Sequence, residues 1–128
     1  MRLLLDTHLL IWWLNDDAAL SVTARQAIAD PGSEVFVSAA SVWEIAIKHA
    51  LGKLAFPIGR MSGILGEAGF APMSIEIQHT IRAGALPRHH DDPFDRMLIA
   101  QAQLEGLVIA TADSMFKKYD VSLIDGAD

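Results

Sequence analysis

At 128 residues the chain has the length of one ordinary domain, enough to bury a core without covalent staples, and its lack of cysteine excludes disulfides and thiolate metal sites. Sixteen acidic against ten basic side chains give a formal charge of −6, the wrong sign for holding a polyanion by bulk electrostatics. The apolar start MRLLLDTHLLIWWLN is broken by Asp6 and His8, no small-residue cleavage site follows, and nothing is long enough to span a bilayer. The expectation is a single domain over residues 1–128 in a cytoplasmic protein that engages no membrane.

Residues 2–5, RLLL, predict a short buried strand, and the apolar LLIWWL after Asp-Thr-His predicts a helix. A second short helix starts at Ser21 and is stopped by Pro31-Gly32. EVFVS, 34–38, has the aromatic and β-branched content of a strand, and SVWEIAIKHALGKL follows at helical period, with Gly52 as a C-cap. A helix over 58–68, a strand near 70–75 weakened by Pro72, and a helix over 76–85 come next. Asp92-Pro93 opens a helix that runs to 105 and ends at Gly106; the strand LVIAT, the short segment DSMFKKYD and a last strand VSLI complete the order.

Strands that alternate with helices predict an α/β fold, a five-stranded parallel sheet flanked by helices on both faces. In such a sheet, ligands collect at the carboxyl ends of the strands near a reversal of strand order. Asp6 follows the first strand, Glu44 lies in the helix after the second, Asp95 opens the helix before the fourth, and Asp113 follows that strand. Each has a plain structural reading: Asp6 and Asp113 as helix caps, Glu44 as the partner of Lys48 at i+4, and Asp95 as a first-turn acid on the positive end of a helix dipole. Taken together they form a crowded acidic edge, which raises pKa values unless a cation intervenes. Carboxylates without thiolates are a hard-ligand set suited to Mg²⁺ or Mn²⁺.

LLLDTH, SVWEIAIK, DPFDRMLIAQA and the downstream TAD, in this order across essentially the whole chain, resemble the PIN domain and specifically the VapC-type toxins of toxin–antitoxin pairs. The resemblance implies a PIN-like fold and carries the family's acidic site onto Asp6, Glu44, Asp95 and Asp113, with Thr7 and Thr111 as supporting polar residues beside it. Asp92 matches the helix cap of the motif. Met115 and Phe116 stand where some relatives place a further acid or amide. The implied activity is a Mg²⁺- or Mn²⁺-dependent endoribonuclease in which a metal-activated water cleaves the phosphodiester, leaving a 5′-phosphate and a 3′-hydroxyl. The implied partners are an RNA substrate, a VapB-type antitoxin whose C-terminal segment crosses the acidic groove, and a second copy in a homodimer.

Two other readings compete with this one. LLLDTH also places an aspartate after strand one as in haloacid-dehalogenase-type phosphotransfer hydrolases, but that family expects a second aspartate where His8 stands. A PIN-like scaffold that binds without cleaving is the other. The remaining conspicuous residues read structurally. Lys48, Lys53, Arg60, Arg82, Arg88 and Arg96 are scattered rather than blocked and for the most part predict solvated helix faces, and His89 and His90 predict a polar surface loop. Of the adjacent Trp12 and Trp13, one is expected in the core and the other, beside Leu10 and Leu14, on an interface for the antitoxin.

Overall fold

Leu3, Leu4 and Leu5 have no solvent exposure, and they divide between two cores: Leu3 and Leu5 pack on one face of a sheet and Leu4 on the other. This is the two-residue period of a strand covered on both sides. In the computed structural model, which describes all 128 residues, the run is β1 (Arg2–Leu5). The other strands are β2 (Glu34–Ser38), β3 (Ala71–Met73), β4 (Val108–Thr111) and β5 (Leu123–Asp125), all parallel and ordered β3-β2-β1-β4-β5. In register, Leu4 lies between Phe36 of β2 and Ile109 of β4.

Helices α1 (Thr7–Leu14), α2 (Val22–Ala29), α3 (Ala39–Ala50) and α4 (Met61–Ala68) close one face through Leu9, Leu10, Ile28, Ile45 and Leu65. On the other face α6 (Pro93–Glu105) contributes Leu98, Ile99 and Ala102, and α5 (Ile77–Ala85) packs against it. Truncating a fully buried leucine such as Leu4 to alanine would cost about 2–5 kcal/mol, since the lost contacts leave a cavity.

The doubly wound sheet is the one expected, with local differences. The helix expected over 58–68 is a 3-10 turn at Ile58–Arg60 followed by α4, in keeping with Pro57 and Gly59 at its start. β3 is cut to three residues around Pro72, which has no N–H to give to a ladder. α3 begins earlier than its apolar period suggests, because the Ser38 side chain caps it by accepting the Ala40 amide at 3.0 Å. Ser21 and Asp92 are the caps of α2 and α6, as expected.

The chain builds outward from β1 to β2 and β3, then crosses back through α5 and α6 to lay β4 on the other side of β1. The reversal of strand order therefore falls between β1 and β4, where loops part and leave a crevice at the carboxyl ends.

Candidate acidic site

Asp6 stands at that reversal, its backbone N–H bonded to Ala110 of β4 at 3.1 Å. One carboxylate oxygen caps α1 by accepting the Leu9 amide at 2.8 Å; the other accepts the hydroxyl of Thr111. Thr111 Oγ1 in turn accepts the Asp113 amide at 3.0 Å, and Asp113 caps the next 3-10 turn by accepting the Met115 amide at 2.9 Å. Asp6 and Asp113 thus do perform the capping that their positions suggest, and Thr111 couples them.

Glu44 arrives from α3, paired with Lys48 at 3.1 Å across one turn. Asp95 arrives from the first turn of α6, whose cap is Asp92: it accepts the Phe94 and Asp95 amides at 2.9 and 3.1 Å. Asp6, Thr7, Glu44, Asp95 and Asp113 line one cavity of about 200 Å³ together with His8, Ile11, Lys48 and Asp92. All four candidate acids, drawn from four separate stretches of chain, share that cavity. Thr111 stands behind it as the buried link rather than on its wall.

The electrostatics show a cost. Burial pushes the Asp6 carboxyl above its ordinary range, against the Thr111 and Leu9 hydrogen bonds that favour the ion. Asp95 is pushed up to about 7, by burial first and then by the Asp92 charge, with Asp113 adding to it and His90 opposing. Lys48 is the one lysine or arginine on the cavity wall and is held by Glu44. A divalent cation would relieve this repulsion, and the donors are the hard oxygens that Mg²⁺ and Mn²⁺ select. No three of these carboxylates and imidazoles converge on one point as they stand, so to hold an ion together they would have to draw closer.

Several residues lie elsewhere than the sequence predicts. Arg96, expected on a solvated helix face, is buried at 6% exposure. His90, expected in a surface loop, has a side chain only 13% exposed, with Nε2 at 3.2 Å from Asp95. The five-residue offset from His90 to Asp95 was the signal available, but nothing local says that the loop folds back. Trp12 and Trp13 are both half-buried, the first against His8 and the second against Phe70, so neither is wholly in the core, and Leu10 has no exposure. The exposed tryptophan is instead Trp43 of α3, 61% exposed and edge-on to Phe94. It borders an apolar groove of about 450 Å³ with Val42, Ala46, Ile58, Met61 and Leu65.

Comparison with known proteins matches residues 3–122 to the PIN domain family model. Among solved structures, the chain is similar to DNA-bound VapBC from Salmonella typhimurium, with TM-score 0.73, 18% identity and 98% of each chain covered. It is also similar to VapBC2 from Rickettsia felis bound to a promoter DNA fragment, with TM-score 0.72, 13% identity, 98% of this chain and 99% of that one. A third similarity is to a toxin–antitoxin complex from Klebsiella pneumoniae, with TM-score 0.67, 20% identity and 94% of each chain. No curated protein sequence matches.

Proposed function

The chain belongs to the PIN domain family, and from that premise we propose that it is a metal-dependent endoribonuclease, the VapC-type toxin of a toxin–antitoxin pair. The observation that carries the proposal is the sharing of one cavity by Asp6, Glu44, Asp95 and Asp113 at the reversal of strand order, with two of these acids strained toward protonation. The family match leaves no reason to retain the haloacid-dehalogenase alternative.

Mg²⁺ or Mn²⁺, when bound, would neutralise the acidic cavity, attract a scissile phosphate and activate a water for in-line attack at phosphorus. The chain's residues prepare for this. Thr111 and the Leu9 amide keep the Asp6 carboxylate in one orientation. Asp95, whose carboxyl is pushed up to about 7, would be one of the carboxylates that hold the cation, and would do so in its ionised form. Glu44 keeps Lys48 at the wall, where its ammonium faces the same cavity as the acids and offsets phosphate charge. Bond cleavage adds water across the phosphodiester, leaving a 5′-phosphate on one fragment and a 3′-hydroxyl on the other, with no covalent enzyme intermediate.

The proposed partner is a VapB-type antitoxin, supported by the toxin–antitoxin complexes among the similar folds. Its apolar segment would lie in the groove beside Trp43, which opens next to the helix that carries Glu44. The proposed assembly is a homodimer, for which Ile77 and Ile81, one turn apart on α5 and 78% and 68% exposed, supply an unpartnered apolar strip. The deciding experiment incubates purified protein with total RNA and with single-stranded DNA, each with and without Mg²⁺ or Mn²⁺. Cleavage of RNA that depends on the cation and disappears in Asp95→Asn supports the reading; a protein inert with both cations would leave only the binding scaffold.

A further inference from the structure

The buried guanidinium of Arg96 meets no carboxylate. Its Nη2 donates to the carbonyls of Ala83 and Leu86 at 3.0 and 2.9 Å. Its Nη1 donates to the carbonyls of Pro87 and His90 at 2.9 and 3.3 Å, and to the hydroxyl oxygen of Tyr119 at 3.3 Å. One positive charge thus gathers the loop from α5 to α6 around neutral acceptors, and orders the segment that carries His90.

The Tyr119 oxygen has a second donor, the backbone N–H of His90 at 3.3 Å. With two N–H groups pointing at it, the phenol is left to donate its own proton. The acceptor within reach is His90 Nδ1 at 2.7 Å; the His90 carbonyl lies at 3.5 Å. If Nδ1 accepts, the proton of the neutral imidazole sits on Nε2. Nε2 lies 3.2 Å from Asp95 Oδ2 and donates to it, while Asp95 Oδ1 has no protein partner. His90 itself does not line the acidic cavity, so whatever it does there passes through Asp95.

We propose that Tyr119 and His90 are positioning residues for Asp95: the line Arg96, Tyr119, His90 fixes one imidazole tautomer, and the Nε2–H locks the carboxylate so that Oδ1 remains for a cation. The arrangement is that of an outer-shell hydrogen bond that orients a ligand, with the imidazole in the supporting position. The inference rests on the proposed assignment of Asp95 to a metal site, but its first observable does not.

The test begins with histidine-¹⁵N-labelled, metal-free protein at pH 8, where long-range proton–nitrogen spectra report the His90 tautomer. The wild type should show the Nε2–H form alone, and Tyr119→Phe, which keeps the ring and loses the proton, a mixture. Mn²⁺ binding to the same two proteins, followed by electron paramagnetic resonance, should weaken roughly 10–100-fold in the variant, and kcat for RNA should fall by a similar factor at unchanged KM. His90→Ala should weaken Mn²⁺ binding at least as much, and His90→Asn, whose amide can still donate, should recover part of it. An Nδ1–H tautomer in the wild type, or Mn²⁺ affinity indifferent to both His90→Ala and Tyr119→Phe, overturns the proposal. A wild-type protein with the Nε2–H tautomer and tight Mn²⁺ binding but no RNA cleavage would instead overturn the nuclease assignment and leave this one standing.

Discussion

Thr111, at the end of β4, donates its hydroxyl proton to the carboxylate of Asp6, which lies just beyond the end of the neighbouring β1. Because the same oxygen accepts the Asp113 amide, one hydroxyl spans two of the proposed metal-site acids. Thr111→Val keeps the shape and removes both bonds. Leaving a buried carboxylate oxygen and an amide short of partners should cost about 1–3 kcal/mol in urea denaturation and lower cleavage as well. Thr111→Ser should restore most of both; a valine variant as stable as the wild type would show the bond to be dispensable.

Asp6→Asn should eliminate cleavage while the fold survives. Asparagine caps a helix about as well as aspartate, so the Leu9 bond persists, and the buried charge whose pKa is raised disappears. The loss of activity should exceed the roughly 10–100-fold that outer-shell partners command, because a neutral amide is a poor ligand for a hard cation. Thermal melts in chelator, beside cleavage assays, check both parts.

Asp92 and Asp95 lie three residues apart at one helix start and should respond differently. Asp92→Ser retains a capping oxygen for the Phe94 and Asp95 amides and should cost only about a few tenths of a kcal/mol, with activity kept. Asp95→Ser should lose most of it. Equal losses would mean that cap and ligand have been exchanged.

The pH dependence has a definite sign. Without divalent cation, folded Asp95 holds its proton to about pH 7, whereas the unfolded chain releases it near 3.8. The native state binds the extra proton between these values, so stability falls as pH rises through that window and levels off above it. His90, Asp92, Asp113 and Asp6 bear on the same cavity, which makes the difference between wild type and Asp95→Asn the informative quantity. The variant should gain steadily on the wild type from pH 4 to pH 8, its advantage largest at the alkaline end. Denaturation midpoints that shift in parallel across the window would contradict the raised value.

A negatively charged cavity invites an inhibitor that carries its own cation. An arginine from the antitoxin can bind the carboxylates bidentately and take the place of the metal, so antitoxin and Mn²⁺ should compete. Antitoxin affinity measured over a Mn²⁺ series at constant ionic strength should fall as the ion saturates. An affinity independent of Mn²⁺ would refute the arginine plug without touching the nuclease assignment.

What could be read from the chain alone was whatever is decided locally. Leu3 to Leu5 announce a strand buried on both faces, and Ser21, Asp92 and Gly106 mark helix boundaries through their own backbone and side-chain chemistry. Asp6, Asp95 and Asp113 drew notice because each falls at a predicted strand end or helix start; Glu44, inside α3 and with Lys48 as a ready partner, was singled out by its helix following the second strand and by the resemblance. Arg96 was not legible, since a guanidinium in a helix looks solvated until one knows that the carbonyls of residues 83, 86, 87 and 90 fold back over it. His90 fails for the same reason: its partners Tyr119 and Asp95 meet it only in the folded chain. Neither Trp12 nor Trp13 is the exposed tryptophan, because α1 packs against the sheet and α3, while Trp43, which the sequence did not single out, lies on the outer side of α3.

The outer margin of the sheet at β3 is three residues long with Pro72 at its centre. A strand approaching from outside would find a short, interrupted row of donors, too poor a template for main-chain pairing. Lateral polymerisation through that side is therefore blocked, and an extended peptide gains little by lying along it as an extra strand. At this margin any contact with another chain is left to side chains, where a change of a few residues alters what fits.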